Sequence, residues 1–325
     1  MRRRELLAWG ALSVFSRHVL RAQAAPIVNF FVDGIWLNLH HFLYVLGRAQ
    51  ANFPDSKRDG VNEAPADQER GLAGLDPAAV STWRDAVTFY VGGLSKADAV
   101  SSRDLVTVAG ALARAGDAAT LGTPAGVPAD VATMLTRAAP IYRKAWWPAH
   151  HDANRRWAAE MRPMVDRYGA EILAFLTKVY QLPWPAAGYP VQVSGYTNWA
   201  GAYSTTGPLL MIASLDKGNG GQDGLEIVFH ESMHQWDEPV LAKLRDFAAG
   251  KRLSPNLTHA LIWMTAGEAI RRVLPDHVPI AERGIWERAD YPKLKLGLEA
   301  AWLPYLKGQG TRDEALEQVV RLTAR

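Results

Sequence analysis

The stretch LEIVFHESMHQW, residues 225–236, decides how the rest of the chain is read. His230 and His234 lie four residues apart, with Glu231 just inside the pair. On a helix this spacing puts the two imidazoles about 40° apart around the axis, on one face and one turn from each other. Two imidazoles so placed can share one tetrahedral zinc. Glu231 projects about 100° further round, close to the ion but not aimed at it. There it can take a proton from a zinc-bound water whose pKa the metal has lowered. That is the physical content of an H-E-x-x-H pattern. The flanking residues support a buried helix, because Leu225, Ile227, Val228, Phe229, Met233 and Trp236 make it apolar nearly all round. Asp223 is its expected N-cap, with Glu226 three residues on in a variant of the capping box. Polar groups inside such a helix need partners. A metal is one, and ordinary hydrogen bonds between buried histidines are the alternative.

Immediately upstream, VQVSGY (191–196) and GPLLMIASLD (207–216) are short, apolar and bounded by turn residues, which predicts strands. DKGNGGQDG (216–224) is a turn into the motif helix. PWPAAGYP (183–190), with three prolines and a glycine, marks a boundary. Before it the chain reads mostly helical: 27–50, 77–94, 103–116, 128–147 and 152–182, the last kinked or restarted at Pro163. Residues 51–76 read as a long loop. The segment holding Trp146, Trp147, His150, His151 and Arg155 reads as a helix-to-helix corner rather than a cleft wall. The expected class is mainly α with a small antiparallel sheet (α+β): a leader over 1–24, a helical region over 25–182 and a catalytic region over 183–325.

The leader has a basic start, an apolar run from Leu6 to Phe15 and a small-x-small ending at Ala22-Gln23-Ala24. Arg3-Arg4-Glu5-Leu6-Leu7 resembles the twin-arginine export motif, which implies a periplasmic or extracellular protein. The chain's formal net charge of +3 resides in this leader, whose five arginines and one glutamate leave the remainder at −1. A global electrostatic case for nucleic acid is thereby removed. The apolar run is too short to span a bilayer. With 0 cysteines, thiolate metal sites, disulfides and cysteine nucleophiles are excluded, and a metal would be held by His, Asp or Glu.

LEIVFHESMH resembles the active-site helix of the zincin metallopeptidases. The metzincin branch needs a glycine three residues past the second histidine and a third histidine three beyond that. Asp237 and Val240 stand at those places. The deformylase-type pattern needs a cysteine. The gluzincin branch takes a glutamate from a following helix, and SPNLTHALIWMTAGEAIRRVLP (254–275) supplies Glu268, 34 residues after His234. Ser254 would cap this helix, Pro255 would sit at its first position and Pro275 would end it. Gly267 would let the motif helix approach closely. The alternative for Glu268 is an ion pair with Arg271 or Arg272 on an exposed face. Glu282, Glu287 and Asp290 are lesser candidates, since their segments read as loop or exposed. His259, nine residues before Glu268, falls half a turn out of phase with it and reads as structural or supporting rather than as a ligand. Tyr291, Tyr305, His259 and His277 are candidates for the oxyanion stabiliser that the resemblance implies. The resemblance also places Asn198, Trp199 and Ala200 on an edge strand that would hold the substrate backbone, the alternative being a plain aromatic hairpin.

These readings converge on an exported Zn2+-dependent hydrolase of gluzincin type, acting on peptide or protein. His230, His234 and Glu268 would bind the metal and Glu231 would activate water. Two other readings stand beside it. One is an inactive zincin-like protein that binds peptide or glycan, for which Glu231 would have no use. The other is a di-iron bundle, which needs a second E-x-x-H that the chain lacks.

Overall fold

The computed structural model describes residues 25–204 and 207–324, so the expected leader over 1–24 lies outside the described residues. The first element is a strand, β1 (Val28–Phe31), followed by α1 (Ile35–Gln50), α2 (Ala64–Leu72), α3 (Pro77–Gly92), α4 (Arg103–Ala115), α5 (Ala129–Ala145) and α6 (Trp147–Tyr180). Then come β2 (Tyr189–Ser194), β3 (Ala202–Ser204) and β4 (Leu210–Ala213), and the helices α7 (Gly221–Met233), α8 (Asp237–Ala248), α9 (Leu257–Val273), α10 (Tyr291–Leu306) and α11 (Arg312–Thr323). The fold is therefore mainly α with a small sheet, as expected.

The sheet has the order β1-β2-β4-β3. It is mixed rather than wholly antiparallel: β1–β2 and β2–β4 are parallel, and only the edge pair β3–β4 is antiparallel. Parallel strands need cover on both faces, and these have it. Alternate residues face two different cores. Val191, Val193, Leu210, Ile212 and Ala202 join the core built by α6 to α11, whereas Met211 and Tyr203 join the core built by α1 to α5. The period-2 geometry of a strand thus makes the sheet a wall between two helical layers.

Several expectations are corrected. Residues 27–50 are not one helix, because Val28–Phe31 pair with Tyr189–Gln192 and the helix begins at Ile35. The stretch 51–76 contains α2, entered with Pro65 in its first turn, and is not a continuous loop. α6 runs unbroken through Pro163. β1 and α6, both from before the break at 183–190, pack in the same core as the elements after it. The corner is tighter than the gap expected between helices over 128–147 and 152–182: α5 ends at Ala145, α6 starts at Trp147, and the buried Trp146 ring packs against Phe42 and Trp83.

The turn leading into α7 fixes where the motif sits. Asn219 donates from Nδ2 to the carbonyls of Gly201 and Ala213, at 3.0 and 2.8 Å, and its own carbonyl accepts from Trp157 Nε1 at 2.7 Å. α7 starts at Gly221, so Asp223 lies in its first turn instead of capping it and forms a two-pronged pair with Arg283. Gly224 is required by contact, since a Cβ there would lie 2.1 Å from the Asn219 carbonyl oxygen. Among the described residues, no helix is long and apolar enough to cross a membrane.

Candidate metal centre

His230 stands in the last turn of α7, and His234 opens a short 3-10 turn that continues it. The third member of the group is His259, in the first turn of α9, a helix packed against α7. The three rings form a near-equilateral triangle, with centroids 5.4 Å (His230–His234), 5.0 Å (His230–His259) and 5.2 Å (His234–His259) apart. One ring nitrogen from each can be chosen so that all three lie within 4.8 Å of one another. His230 Nε2 and His259 Nε2 are 3.0 Å apart. Two nitrogens bound at about 2.05 Å to one tetrahedral zinc would be separated by roughly 3.3 Å, so this pair is already at a spacing that one ion can bridge. The cluster could hold a metal ion.

The outer nitrogens show how the rings are held. His234 Nδ1 is 2.7 Å from Asp237 Oδ2, an acceptor three residues on, which leaves Nε2 for the centre. His259 Nδ1 is 3.1 Å from the Tyr291 hydroxyl. His230 Nδ1 is buried with no partner among the described residues. The indole of Trp263, one turn beyond His259, packs against His230 with ring centroids 3.8 Å apart.

Burial sets the charge states. It pulls His230 well below the ordinary histidine range, with the neighbouring His259 and His234 acting the same way. It pulls His259 down to about 3, helped by His234. Both rings are therefore neutral, and a neutral imidazole is the form that binds metal. For His234 burial also pulls downward, but the bond to Asp237 and the charges of Glu231 and Asp237 outweigh it and the net shift is upward. Burial raises Glu231, partly offset by His234 and by Ser204.

Glu231 is beside the group but not in it. Its Oε1 is 4.0 Å from His230 Nε2. Ser204, the last residue of the edge strand β3, reaches Glu231 from the other side, with Oγ 2.9 Å from Oε2 and 2.6 Å from the Glu231 carbonyl oxygen.

The structure does not bring Glu268 to this place. Its carboxylate pairs with Arg271 Nη1 at 3.2 Å. Nine residues along one helix separate it from His259 by about 13.5 Å and half a turn, so the two cannot serve one ion. Gly267 faces Pro279, not α7; a Cβ there would lie 2.6 Å from Pro279 Cβ. Of the lesser candidates, Glu282 is engaged with Lys295 and Trp286, and Asp290 with Asn256. Of the oxyanion candidates, Tyr291 binds the outer nitrogen of His259, Tyr305 donates to the Val179 carbonyl and His277 is paired with Glu226. Glu226 is thus no capping-box residue but a fully buried acceptor, also bonded to the Ile280 N–H. Asn198, Trp199 and Ala200 lie in the loop between β2 and β3, not on the edge strand. Asn198 Oδ1 accepts from the Ala200 N–H, Trp199 Nε1 donates to Asp98, and Arg58 stacks on the Trp199 ring.

Sequence reasoning missed Asp237, Ser204 and Trp263 as parts of this centre. Asp237 had a local signal, an acid one turn past a motif histidine. Ser204 had none, because its bond to Glu231 depends on the sheet docking against α7. Comparison with known proteins finds no matching family model, no matching characterised protein and no matching solved structure.

Proposed function

We propose that this chain is an exported, zinc-dependent hydrolase acting on peptide bonds, with His230, His234 and His259 holding the metal and Glu231 as general base. The observation that carries the reading is the combination in one place of three convergent imidazoles and a carboxylate 4.0 Å from one of them. The donor set fits zinc, since three neutral imidazoles are a known catalytic ligand set for that ion. A gluzincin would have a glutamate as third ligand; the proposal here is a zincin-like centre with a histidine in that role.

When bound, such a metal supplies Lewis acidity to a carbonyl oxygen and lowers the pKa of a water molecule. The chain's own residues would do the rest. Glu231 would accept the proton of the attacking water and pass it to the leaving amine. Ser204 holds the Oε2 side of that carboxylate, leaving Oε1 on the side of the histidines. Asp237 would orient His234 through its outer nitrogen. A protein that only bound peptide or glycan would have no use for a carboxylate held in this position. Export is proposed from the basic and apolar leader alone.

The test has two parts. The purified chain should contain about one zinc, and Glu231→Gln should retain it while losing hydrolysis of an unfolded protein such as reduced casein. A clean, folded preparation that takes up no zinc would refute the metal, and hydrolysis undiminished in Glu231→Gln would refute the mechanism.

A further inference from the structure

The Tyr291 hydroxyl lies on the outer side of a histidine that points inward, and this assigns it a role. We propose that Tyr291 is a positioning residue for the metal ligand His259, fixing the ring tautomer that presents the Nε2 lone pair to His230 and His234. The inference rests on the three-histidine centre proposed above.

A neutral imidazole carries one N–H and one lone pair, and the partner of one nitrogen decides what the other can do. Among the described residues, His230 Nδ1 is buried without a partner. A buried N–H with no acceptor is rarer, and more unfavourable, than an acceptor left bare. In the metal-free protein His230 therefore keeps its proton on Nε2, where an acceptor stands 3.0 Å away, His259 Nε2; binding a metal through that nitrogen would require the His230 proton to move to Nδ1, whereas His259 needs no such shift. The contact between the two rings requires a lone pair on His259 Nε2, so the His259 proton sits on Nδ1. Among the described residues, the group in hydrogen-bond contact with that atom is the Tyr291 hydroxyl oxygen, which accepts at 3.1 Å.

A side-chain bond beside it supports this contact. Tyr291 is the first residue of α10, and Asp290 just before it accepts from Asn256 Nδ2 at 2.7 Å. Asn256 is the residue preceding α9, three before His259. The starts of the two helices are thus tied together where the tyrosine meets the histidine. The Tyr291 ring is buried edge-on against Trp286, at 6.0 Å between centroids. A tyrosine placed this way serves the ligand from behind, which is a different task from stabilising an oxyanion in front.

Cobalt(II) titration of the full-length protein, followed by visible absorption and competition with a chelator, tests the assignment. Tyr291→Phe should bind Co2+ about 10- to 100-fold more weakly than wild type, whereas Tyr305→Phe, which removes a hydroxyl bonded to a distant carbonyl, should bind it normally. Affinity of Tyr291→Phe within twofold of wild type would overturn the proposal. A second measurement does not depend on metal: imidazole 15N shifts of the apoprotein should show His259 protonated at Nδ1 in wild type. A wild-type His259 protonated at Nε2 would overturn the proposal too, even if the variant bound cobalt weakly. If wild type takes up no cobalt while His259 shows the Nδ1–H form, the metal reading fails and the tautomer assignment survives it.

Discussion

The sharpest prediction concerns which residue completes the centre, because His259 and Glu268 lie on the same helix and only one of them can. His259→Ala removes one of three nitrogen donors. Apparent binding free energies of about 10–16 kcal/mol for four-ligand structural zinc correspond to roughly 3 kcal/mol per ligand. At about 1.4 kcal/mol per factor of ten, that is about a hundredfold loss of affinity. Glu268→Ala should leave affinity unchanged, since its carboxylate faces Arg271 and lies about 13.5 Å along α9 from His259. Its effect on stability should also be small. The two side chains are 23% and 50% exposed, and such surface pairs contribute about 0–1 kcal/mol. Zinc competition against a chromophoric chelator measures both variants against wild type, with circular dichroism as the check of fold. A large loss in Glu268→Ala together with wild-type affinity in His259→Ala would refute the three-histidine centre and restore the glutamate.

Three further predictions follow from the same geometry. Metal affinity should fall as pH falls: the His234 pKa is raised above the ordinary histidine value of 6.5, so protons compete with metal there first, while burial holds His230 and His259 below that value. Below the raised value affinity should drop about tenfold per pH unit; cobalt isotherms between about pH 5.5 and 8 that stay flat would contradict this. Ser204→Ala should lower hydrolysis about 10- to 100-fold with metal affinity unchanged, because it touches Glu231 and none of the histidines; equal activity in the variant would remove the serine from the mechanism. Gly224→Ala should destabilise the fold by roughly 1–3 kcal/mol, since the added carbon meets the Asn219 carbonyl and Met161, and an unshifted urea midpoint would show that the α7 entry relaxes freely.

What could be read from the sequence was local. The motif histidines, the helix that carries them, two of the three strands between α6 and that helix and a corner with a buried tryptophan between α5 and α6 all follow from spacing within a few residues. The third histidine of the cluster did not. The half-turn offset between His259 and Glu268 was legible and correct, and it shows that only one of them can face α7. Which one does depends on how far along its axis α9 docks, and the sequence carries no measure of that. It is the first turn of α9 that meets the histidine pair. Glu226 misleads for the same reason, because its partners His277 and Ile280 lie more than fifty residues away. β1 was hidden by its length: four mostly apolar residues just before a helix have no periodicity to separate them from that helix. Its strand character comes from β2, on the far side of α6 in the chain.

The small sheet also explains why the N-terminal helices belong to the account of the site. β3 has three residues, and their side chains alternate. Ala202 enters the core shared with α7, and Ser204, on the same face, reaches Glu231. Tyr203 points the other way, where its hydroxyl is 2.7 Å from His41 Nε2 on α1, and His41 Nδ1 is 3.1 Å from the Ser194 hydroxyl on β2. One short strand thus has its middle residue anchored in the N-terminal core and its last residue on the proposed general base. A three-residue edge strand with one neighbour has few hydrogen bonds of its own to hold its position. The His41–Tyr203 contact adds a tie from α1 to this strand, one residue from the serine that bonds Glu231. The helical layer over α1 to α5 is therefore linked through β3 to the carboxylate beside the three histidines.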